Sequence, residues 1–197
     1  NYNNLEIDEW KKLFNELCNW SIKIDEINNV DFKKILDDEK EIINHNFSKY
    51  IGRVYKHWID SPLDRPILSC DIFDKCFKPI LNNNQLIFII IDCFRLDQWK
   101  QISPLLKDNY EIKEDIHVSI LPTATPFARN SIFSGMMPLG IKENYSDLWN
   151  EMFLKNKYNK FEDKLLKKVL EKNNFHNKSM HYEKISHHED GKKFFNK

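Results

Sequence analysis

The sequence lacks the features that mark several common classes of protein. Its four cysteines are scattered without a C-x-x-C pair, and no amino-terminal signal peptide is visible, which together favour a reducing, cytoplasmic setting. No apolar run approaches the roughly 20 residues that a membrane-spanning helix needs. The 30 basic residues balance the 30 acidic ones, so the chain has none of the global positive charge that broad non-specific nucleic-acid binding requires. Any contact with a nucleotide must therefore be local.

What the first eighty residues do contain is helical periodicity. Apolar residues recur at three- and four-residue steps over 8–27 and over about 31–60, and a shorter amphipathic pattern follows Pro66 and Ser69. These three patterns have apolar faces, and no Gly-rich phosphate loop lies between them. They therefore predict a three-helix domain over residues 1–82. The aromatic residues of this region fall at helical spacing, which is typical of a core more than of a cofactor pocket: Trp10, Phe14, Trp20, Phe47, Tyr50 and Trp58.

The pattern changes at Gln85 to strand, helix, strand. Leu86–Ile91 is an unbroken apolar run, which suits a parallel strand buried on both faces, and Asp92 follows it directly. Open α/β sheets bind their ligands at the carboxyl ends of such strands. The alternation at 116–120 indicates a second, half-buried strand. We therefore predict an α/β sandwich that begins at about residue 83, with Asp92 in its site; the alternative is that Asp92 only caps the next helix.

A second informative stretch is Thr125-Pro126. Proline is well tolerated at the first helical position, which places Thr125 at the N-cap with its hydroxyl at the positive end of a new helix. An anion binds well at such a point, although a threonine there also serves simply as a cap. Arg129 follows one turn later, within reach of a bound oxyanion. The alternative for Arg129 in isolation is a solvated arginine in the first turn, which the helix dipole disfavours.

Together the two stretches resemble a known family. Asp-x-Phe-Arg-x-Asp at 92–97, followed by Pro-Thr-x-Thr at 122–125, resembles the alkaline phosphatase superfamily of metal-dependent phosphodiesterases, phosphatases and sulfatases. Within it, residues 121–138 look specifically like the PglZ domain. The amino-terminal helices resemble the helical middle segment of PorX-type response regulators, which carry PglZ at their carboxyl end. The implied fold is an amino-terminal helical bundle followed by the first part of an alkaline-phosphatase-like α/β sandwich.

The resemblance also implies a site and a chemistry. It assigns Asp92 as a zinc ligand, Thr125 as both ligand and nucleophile, and Arg129 and Asn130 as substrate-binding residues, around two zinc ions in the complete domain. Zinc accepts carboxylate and alkoxide oxygens and lowers the pKa of a bound hydroxyl. A sulfatase would need Cys or Ser at position 125, so that activity is disfavoured.

The ligand set of such a site is incomplete in this sequence. A catalytic zinc ordinarily has three protein ligands, whereas the two motifs supply Asp92 and Thr125. His181, His187 and His188 lie in a charged tail with no buried strand before them, and we interpret them as solvated. We therefore expect residues 83–197 to be a PglZ domain that is incomplete at its carboxyl end, in an internal piece of a longer protein whose receiver domain is absent here. This piece should bind zinc weakly and be inactive.

Two hypotheses for the function follow. The first is a zinc-dependent phosphodiesterase that hydrolyses cyclic or short oligonucleotides within a cytoplasmic two-component response regulator linked to type IX protein secretion. Its expected partners are a sensor kinase or a sigma factor, together with a second copy of the same chain in a homodimer. The second hypothesis is a non-catalytic signalling module that binds a phosphorylated ligand or partner. Both use Asp92 and Thr125, so the sequence separates them poorly.

Overall fold

The computed structural model describes residues 2–81, 85–175 and 179–195. The chain divides into two compact units, each formed by two separate stretches of sequence. Unit 1 comprises Asn1–Pro66 and Ile87–His117, and unit 2 comprises Ile67–Leu86 and Val118–Lys197.

Helices dominate both units. The α-helices in chain order are α1 Ile7–Ile27, α2 Val30–Asp60, α3 Lys78–Leu81, α4 Leu96–Ile102, α5 Thr125–Ser134, α6 Pro138–Asn144, α7 Ser146–Phe153, α8 Glu162–Lys172 and α9 His188–Phe195. Short 3₁₀ segments lie at Tyr2–Asn4, Ser69–Asp71 and Ser103–Leu106, and one π-helical turn lies at Phe73–Phe77.

Two asparagines make the tight turn between α1 and α2. Asn28 takes a left-handed backbone conformation, with φ of 52°, at the end of α1. The Asn29 side chain then accepts hydrogen bonds from the backbone N–H of Asp31 at 2.9 Å and of Phe32 at 3.1 Å. Asparagine suits both positions, because it tolerates positive φ and caps a helix start. The helix α2 ends at Asp60, which confirms the predicted stop near Ser61.

The core of unit 1 is partly aromatic, as the helical spacing predicts. Trp10, Tyr50 and Trp58 are buried. The Trp10 ring lies 5.9 Å from that of Tyr50, which in turn lies 6.1 Å from that of Trp58. Phe14 and Trp20 were assigned to the same core, but half or more of each side chain is exposed. The prediction of an aromatic core is therefore confirmed for α2 and for Trp10 and is wrong for two residues of α1.

Unit 2 packs around α5 and α8. Fully buried apolar side chains come from several of its segments, and Phe73, Val169 and Phe175 form one cluster. The helix α5 ends at Ser134, and the next residue, Gly135, has a φ of +62°. A Cβ at this position would lie 3.3 Å from Val169 Cγ2. Glycine therefore serves both the left-handed turn and the close approach of α8.

The predicted fold class, α/β, is wrong. Over residues 2–81, 85–175 and 179–195 the structure contains no β-strand, and the β-pairing there consists of one isolated parallel bridge between Leu68 and Val118. The apolar run at 86–91 is extended but forms no sheet, and the side chains of Ile87, Ile89 and Ile91 are 86%, 73% and 59% exposed. A buried parallel strand needs hydrogen-bonded neighbours and a covering layer on each face. The run has the sequence of such a strand without those neighbours.

The predicted strand at 116–120 is also replaced by irregular structure. Val118 N donates to Ile67 O at 2.9 Å, and Ile120 N donates to the Ser69 hydroxyl at 3.3 Å. A side chain thus takes the place of a second ladder bond. Ile120 is nevertheless fully buried, so the alternation predicted burial correctly and the backbone pairing incorrectly.

In the described part of the chain, no helix is both long enough and apolar enough to cross a bilayer.

Candidate functional site

Asp92 lies in unit 1, in an exposed turn before α4. The next residue, Cys93, has a φ of 58°, so the backbone reverses immediately after the carboxylate. Farther along, Arg95 pairs with Asp97 through two hydrogen bonds, Nε to Oδ1 at 3.0 Å and Nη2 to Oδ2 at 2.9 Å. The hydrogen bond from Arg95 holds the pKa of Asp97 below its ordinary value. The second aspartate of the motif thus has a local partner and lies in the first turn of α4.

Thr125 lies in unit 2 and is the first residue of α5. The N-cap is Ala124, so the prediction that Thr125 caps this helix is wrong by one position. Ala124 O accepts from Phe127 N at 2.9 Å and from Ala128 N at 3.0 Å. These two amides are therefore occupied by the backbone. Thr125 still lies at the positive end of the helix, where the macrodipole favours an anion.

Arg129 lies one turn after Thr125 and makes a buried ion pair. Its Nη2 is 3.0 Å from Oε1 of Glu162, and the two side chains are 15% and 2% exposed. The side-chain oxygen of Asn159, Oδ1, with the amide turned toward the guanidinium, accepts from the same Nη2 at 3.2 Å. Glu162 is the first residue of α8, so this ion pair joins two helices. In the structure the guanidinium contacts a carboxylate of the protein, and a role of Arg129 in holding a substrate oxyanion stays a prediction.

Asn130 is buried and holds backbone carbonyls. Its Nδ2 donates to Pro126 O at 2.7 Å and to Tyr158 O at 3.0 Å, and it lies 3.3 Å from the Met152 sulfur. Its Oδ1 is buried without a hydrogen-bond partner. The amide thus connects the first turn of α5 to the loop after α7. These contacts are structural, and a role in binding substrate stays a prediction.

Two residues near the end of the chain complete the surroundings of Glu162. Lys184 Nζ lies 3.7 Å from Glu162 Oε1 and donates to Asn159 O at 2.6 Å. The Tyr182 side chain lies near Glu162, and its ring meets that of Phe133 at a centroid distance of 6.1 Å. Burial, followed by the charge of Glu162, raises the pKa of Tyr182 to about 12.

Sequence reasoning missed Glu162, Tyr182 and Lys184. An acidic residue in the first turn of a helix is common, because it complements the dipole. Nothing in the pattern at 161–163 therefore distinguishes a buried carboxylate from a solvated one. Tyr182 and Lys184 lie in a polar stretch with no periodicity, so their contacts depend on tertiary structure alone.

The predicted metal ligands belong to separate units. Asp92 is part of unit 1 and Thr125 is part of unit 2. In the described residues no group of three or more His, Cys, Asp and Glu side chains could hold a metal ion. His181, His187 and His188 are exposed, and His181 Nε2 lies 3.4 Å from Glu183 Oε2. The residues that the structure describes do not by themselves provide the three protein ligands that a catalytic zinc needs.

Comparison with known families matches both parts of the chain. Residues 72–194 match the BREX system PglZ alkaline phosphatase-like domain. Residues 2–59 match the PorX response regulator linker domain. No curated protein matches the chain. Because the first match spans more than half of the sequence and includes α5 with Thr125, the chain belongs to the PglZ alkaline phosphatase-like family and carries a PorX-type linker segment ahead of that domain.

Proposed function

We propose that the protein is a phosphodiesterase in which Thr125 is the nucleophile and the substrates are cyclic or short linear oligonucleotides. One observation carries this proposal: the alkaline phosphatase-like match contains a helix that starts at Thr125 and places Arg129 one turn later. The helix dipole and the guanidinium both favour a phosphate group beside the hydroxyl. The chain as a whole carries no net charge, which fits a small anionic ligand better than a long nucleic-acid strand.

The proposed reaction has two balanced steps. The Thr125 oxygen forms a bond to phosphorus as the bond to one ester oxygen breaks, and that oxygen leaves with the proton that the threonine gives up. Water then attacks phosphorus, the bond to Thr125 breaks, and the hydroxyl is restored with release of a monoester. The positive end of α5 and Arg129 act by stabilising negative charge on the transferred group.

Zinc is the proposed cofactor, and Asp92 and Thr125 would be two of its ligands. The described residues do not complete that ligand set, so no step of the reaction is assigned to the metal. The 197-residue chain alone should therefore bind zinc weakly and be inactive toward diesters. Metal content after dialysis, measured by atomic emission, checks the first expectation. A stoichiometric, tightly bound zinc would contradict it.

Substitution of the two motif residues tests the function in the longest polypeptide that contains this chain. Thr125→Ala should lower hydrolysis of a model diester, such as bis(p-nitrophenyl) phosphate, by at least about 10³-fold, because the nucleophile is removed. Asp92→Ala should also lower it, through loss of a metal ligand. The matched controls are Ser146→Ala, which removes the hydroxyl at the first position of α7, and Asp108→Ala, an exposed carboxylate of unit 1. Unchanged turnover in Thr125→Ala would refute the assignment.

A non-catalytic signalling module is the second candidate, and two observations favour it. The guanidinium of Arg129 is already paired with Glu162, and no ligand cluster is present in the described part of the chain. In this case the start of α5 would bind a phosphorylated ligand without turnover. The test is to incubate the protein with a diester, once with added zinc and once with a chelator. Tight binding without hydrolysis under both conditions would support the non-catalytic module.

The PorX-type linker suggests that the protein works as a response regulator. On this proposal its partners are a sensor kinase or a sigma factor, it acts in the cytoplasm in connection with type IX secretion, and it forms a homodimer. Light scattering of the purified chain tests the last point, since a mass of 23.8 kDa is the value for a monomer.

A further inference from the structure

A cleft in unit 1 lies between three helices. Its lining residues come from α1, from α2 and from the segment that begins α4, and all of them belong to the same compact unit. The volume of the cleft is about 410 Å³, within the roughly 300–1,000 Å³ of small-molecule sites in proteins. The cleft is therefore large enough for a small organic ligand.

Much of the lining of this cleft is apolar. Phe14 and Cys18 lie one turn apart on α1, and Phe94 and Leu96 lie at the start of α4. Cys18 is only 8% exposed, so it lies on the inner wall, whereas Phe14 is 50% exposed. A large part of the Phe14 side chain is thus available to a ligand. Aromatic and aliphatic walls of this kind suit the ring of an aromatic molecule.

The two basic side chains that line the cleft are not equally available to a ligand. Arg95 is held by Asp97 through two hydrogen bonds. Lys40 Nζ lies 3.8 Å from Asp37 Oδ1, which is longer than a hydrogen bond, and the Lys40 side chain is 37% exposed. The ammonium of Lys40 can therefore turn toward an anionic group in the cleft.

Basic side chains on both sides of the cleft act on the buried thiol. Burial, followed by the charge of Asp97, raises the pKa of Cys18, whereas Lys100, Lys40 and Arg95 act in the opposite direction. Lys40 belongs to α2 and Lys100 to α4. Positive charge from two helices therefore reaches the apolar wall, which favours a ligand that carries a negative charge.

We propose that this cleft binds a small aromatic anion, which packs its ring against Phe14, Phe94 and Leu96 and pairs its negative charge with Lys40. The ligand class follows from three features together: the volume, the apolar walls, and a lysine whose carboxylate neighbour is beyond hydrogen-bond distance. The inference is independent of the proposed function, because neither Asp92 nor Thr125 lines the cleft.

Two fluorescent probes that share one ring system test this proposal. Anilinonaphthalene sulfonate carries a single negative charge, and phenylnaphthylamine is the same molecule without the sulfonate. Each becomes brighter when it moves from water to an apolar site, so titration against the purified chain gives a Kd for each probe. Both probes should bind the wild-type chain, and the comparison that matters is the change of each Kd between variants.

Two substitutions at partly exposed positions separate the two contacts. Phe14→Ser should weaken the binding of both probes by about five- to tenfold, because part of the apolar wall is lost. Lys40→Gln should weaken the binding of the sulfonate by about two- to fivefold, the effect of one partly exposed ion pair. It should leave the binding of the neutral probe unchanged.

The helix α2 provides a matched control for each variant. Phe32→Ser removes a ring that is 49% exposed and lies outside the cleft. Lys56→Gln removes a lysine that is also paired with an aspartate, Asp60, roughly 24 Å further along the same helix than Lys40. Both controls should leave the Kd of either probe unchanged.

Each outcome supports the proposal or overturns it. A loss for both probes in Phe14→Ser, with a loss for the sulfonate alone in Lys40→Gln, supports it. Absence of sulfonate binding to the wild-type chain overturns it, as does an unchanged Kd in either variant. Equal losses in Phe14→Ser and Phe32→Ser would show adsorption to exposed rings in general and also overturn it.

Circular dichroism checks that each variant is folded. If Phe14→Ser is not, equal effects of Lys40→Gln on the two probes overturn the proposal alone. Neither probe contains phosphorus, so failure here is distinct from failure of the Thr125→Ala test.

Discussion

Arg95 and Arg129 lie in the two stretches that carry the family resemblance, and each contacts a carboxylate at nearly the same distance. Arg95 Nη2 is 2.9 Å from Asp97, and Arg129 Nη2 is 3.0 Å from Glu162. The first pair is local and its side chains are 67% and 23% exposed. The second joins α5 to α8, and its side chains are 15% and 2% exposed. Two ion pairs with the same chemistry thus differ in burial and in the sequence distance that they span.

The difference shows where a charged contact matters for stability. An exposed pair gains little, because water screens the attraction and the side chains lose entropy. Two buried charges have lost their hydration and depend on each other, so removing one leaves the other without compensation. We therefore expect the stability of unit 2 to depend on Arg129. The stability of unit 1 should not depend on Arg95.

The largest expected effect is that of Arg129→Met. It keeps an unbranched apolar stem but leaves Glu162 without its closest cation, which should lower the free energy of unfolding of unit 2 by about 3–5 kcal/mol. Urea denaturation monitored by circular dichroism measures this change in the free energy of unfolding. Arg95→Met is the matched control and should leave the urea midpoint unchanged within error. Equal effects of the two substitutions would remove the distinction between the pairs.

The sequence predicted the helical parts of the fold far better than the rest. The ends of α2 at Asp60 and of α5 at Ser134 follow from local signals, a nearby proline in one case and a glycine in the other. The run at 86–91 shows the limit of such signals. Its residues determine that the backbone is extended, but a sheet needs partner strands, and these are a property of the tertiary structure.

The candidate site shows the same limit. The motifs identified Thr125 and Arg129 as neighbours on one helix, and the structure has them on α5. Neither periodicity nor composition indicated that a glutamate more than thirty residues further on pairs with Arg129. Local sequence thus predicted which residues share an element, and the identity of the residue that neutralises the arginine depended on helix packing.

A smaller effect is expected from the asparagine next to Arg129. Asn130 and Asn46 each donate to the carbonyl four residues earlier, at 2.7 Å and 2.8 Å. The first side chain is 1% exposed and also bonds Tyr158 O, whereas the second bond is at the surface of unit 1. Asn130→Ala should cost about 1–3 kcal/mol, because it removes the hydrogen bonds that a buried amide donates to Pro126 O and Tyr158 O. Asn46→Ala should cost at most about 0.5 kcal/mol. Chemical denaturation of both variants checks the contrast.

The smallest effects are expected in the pH dependence, and they should appear at opposite ends of the scale for the two units. The hydrogen bond from Arg95 lowers the pKa of Asp97 from its ordinary 3.8, so its contribution is present above about that pH and is lost as the pH falls through the lowered value. Burial raises the pKa of Tyr182 from 10.0 to about 12, so its contribution is present below about pH 10 and is lost as the pH rises toward 12. The urea midpoint of the wild type relative to Asp97→Asn should therefore change as the pH falls below about 4. The urea midpoint of the wild type relative to Tyr182→Phe should change between pH 10 and 12. If both differences changed in the same pH range, the assignment of these titrations to the two residues would be wrong.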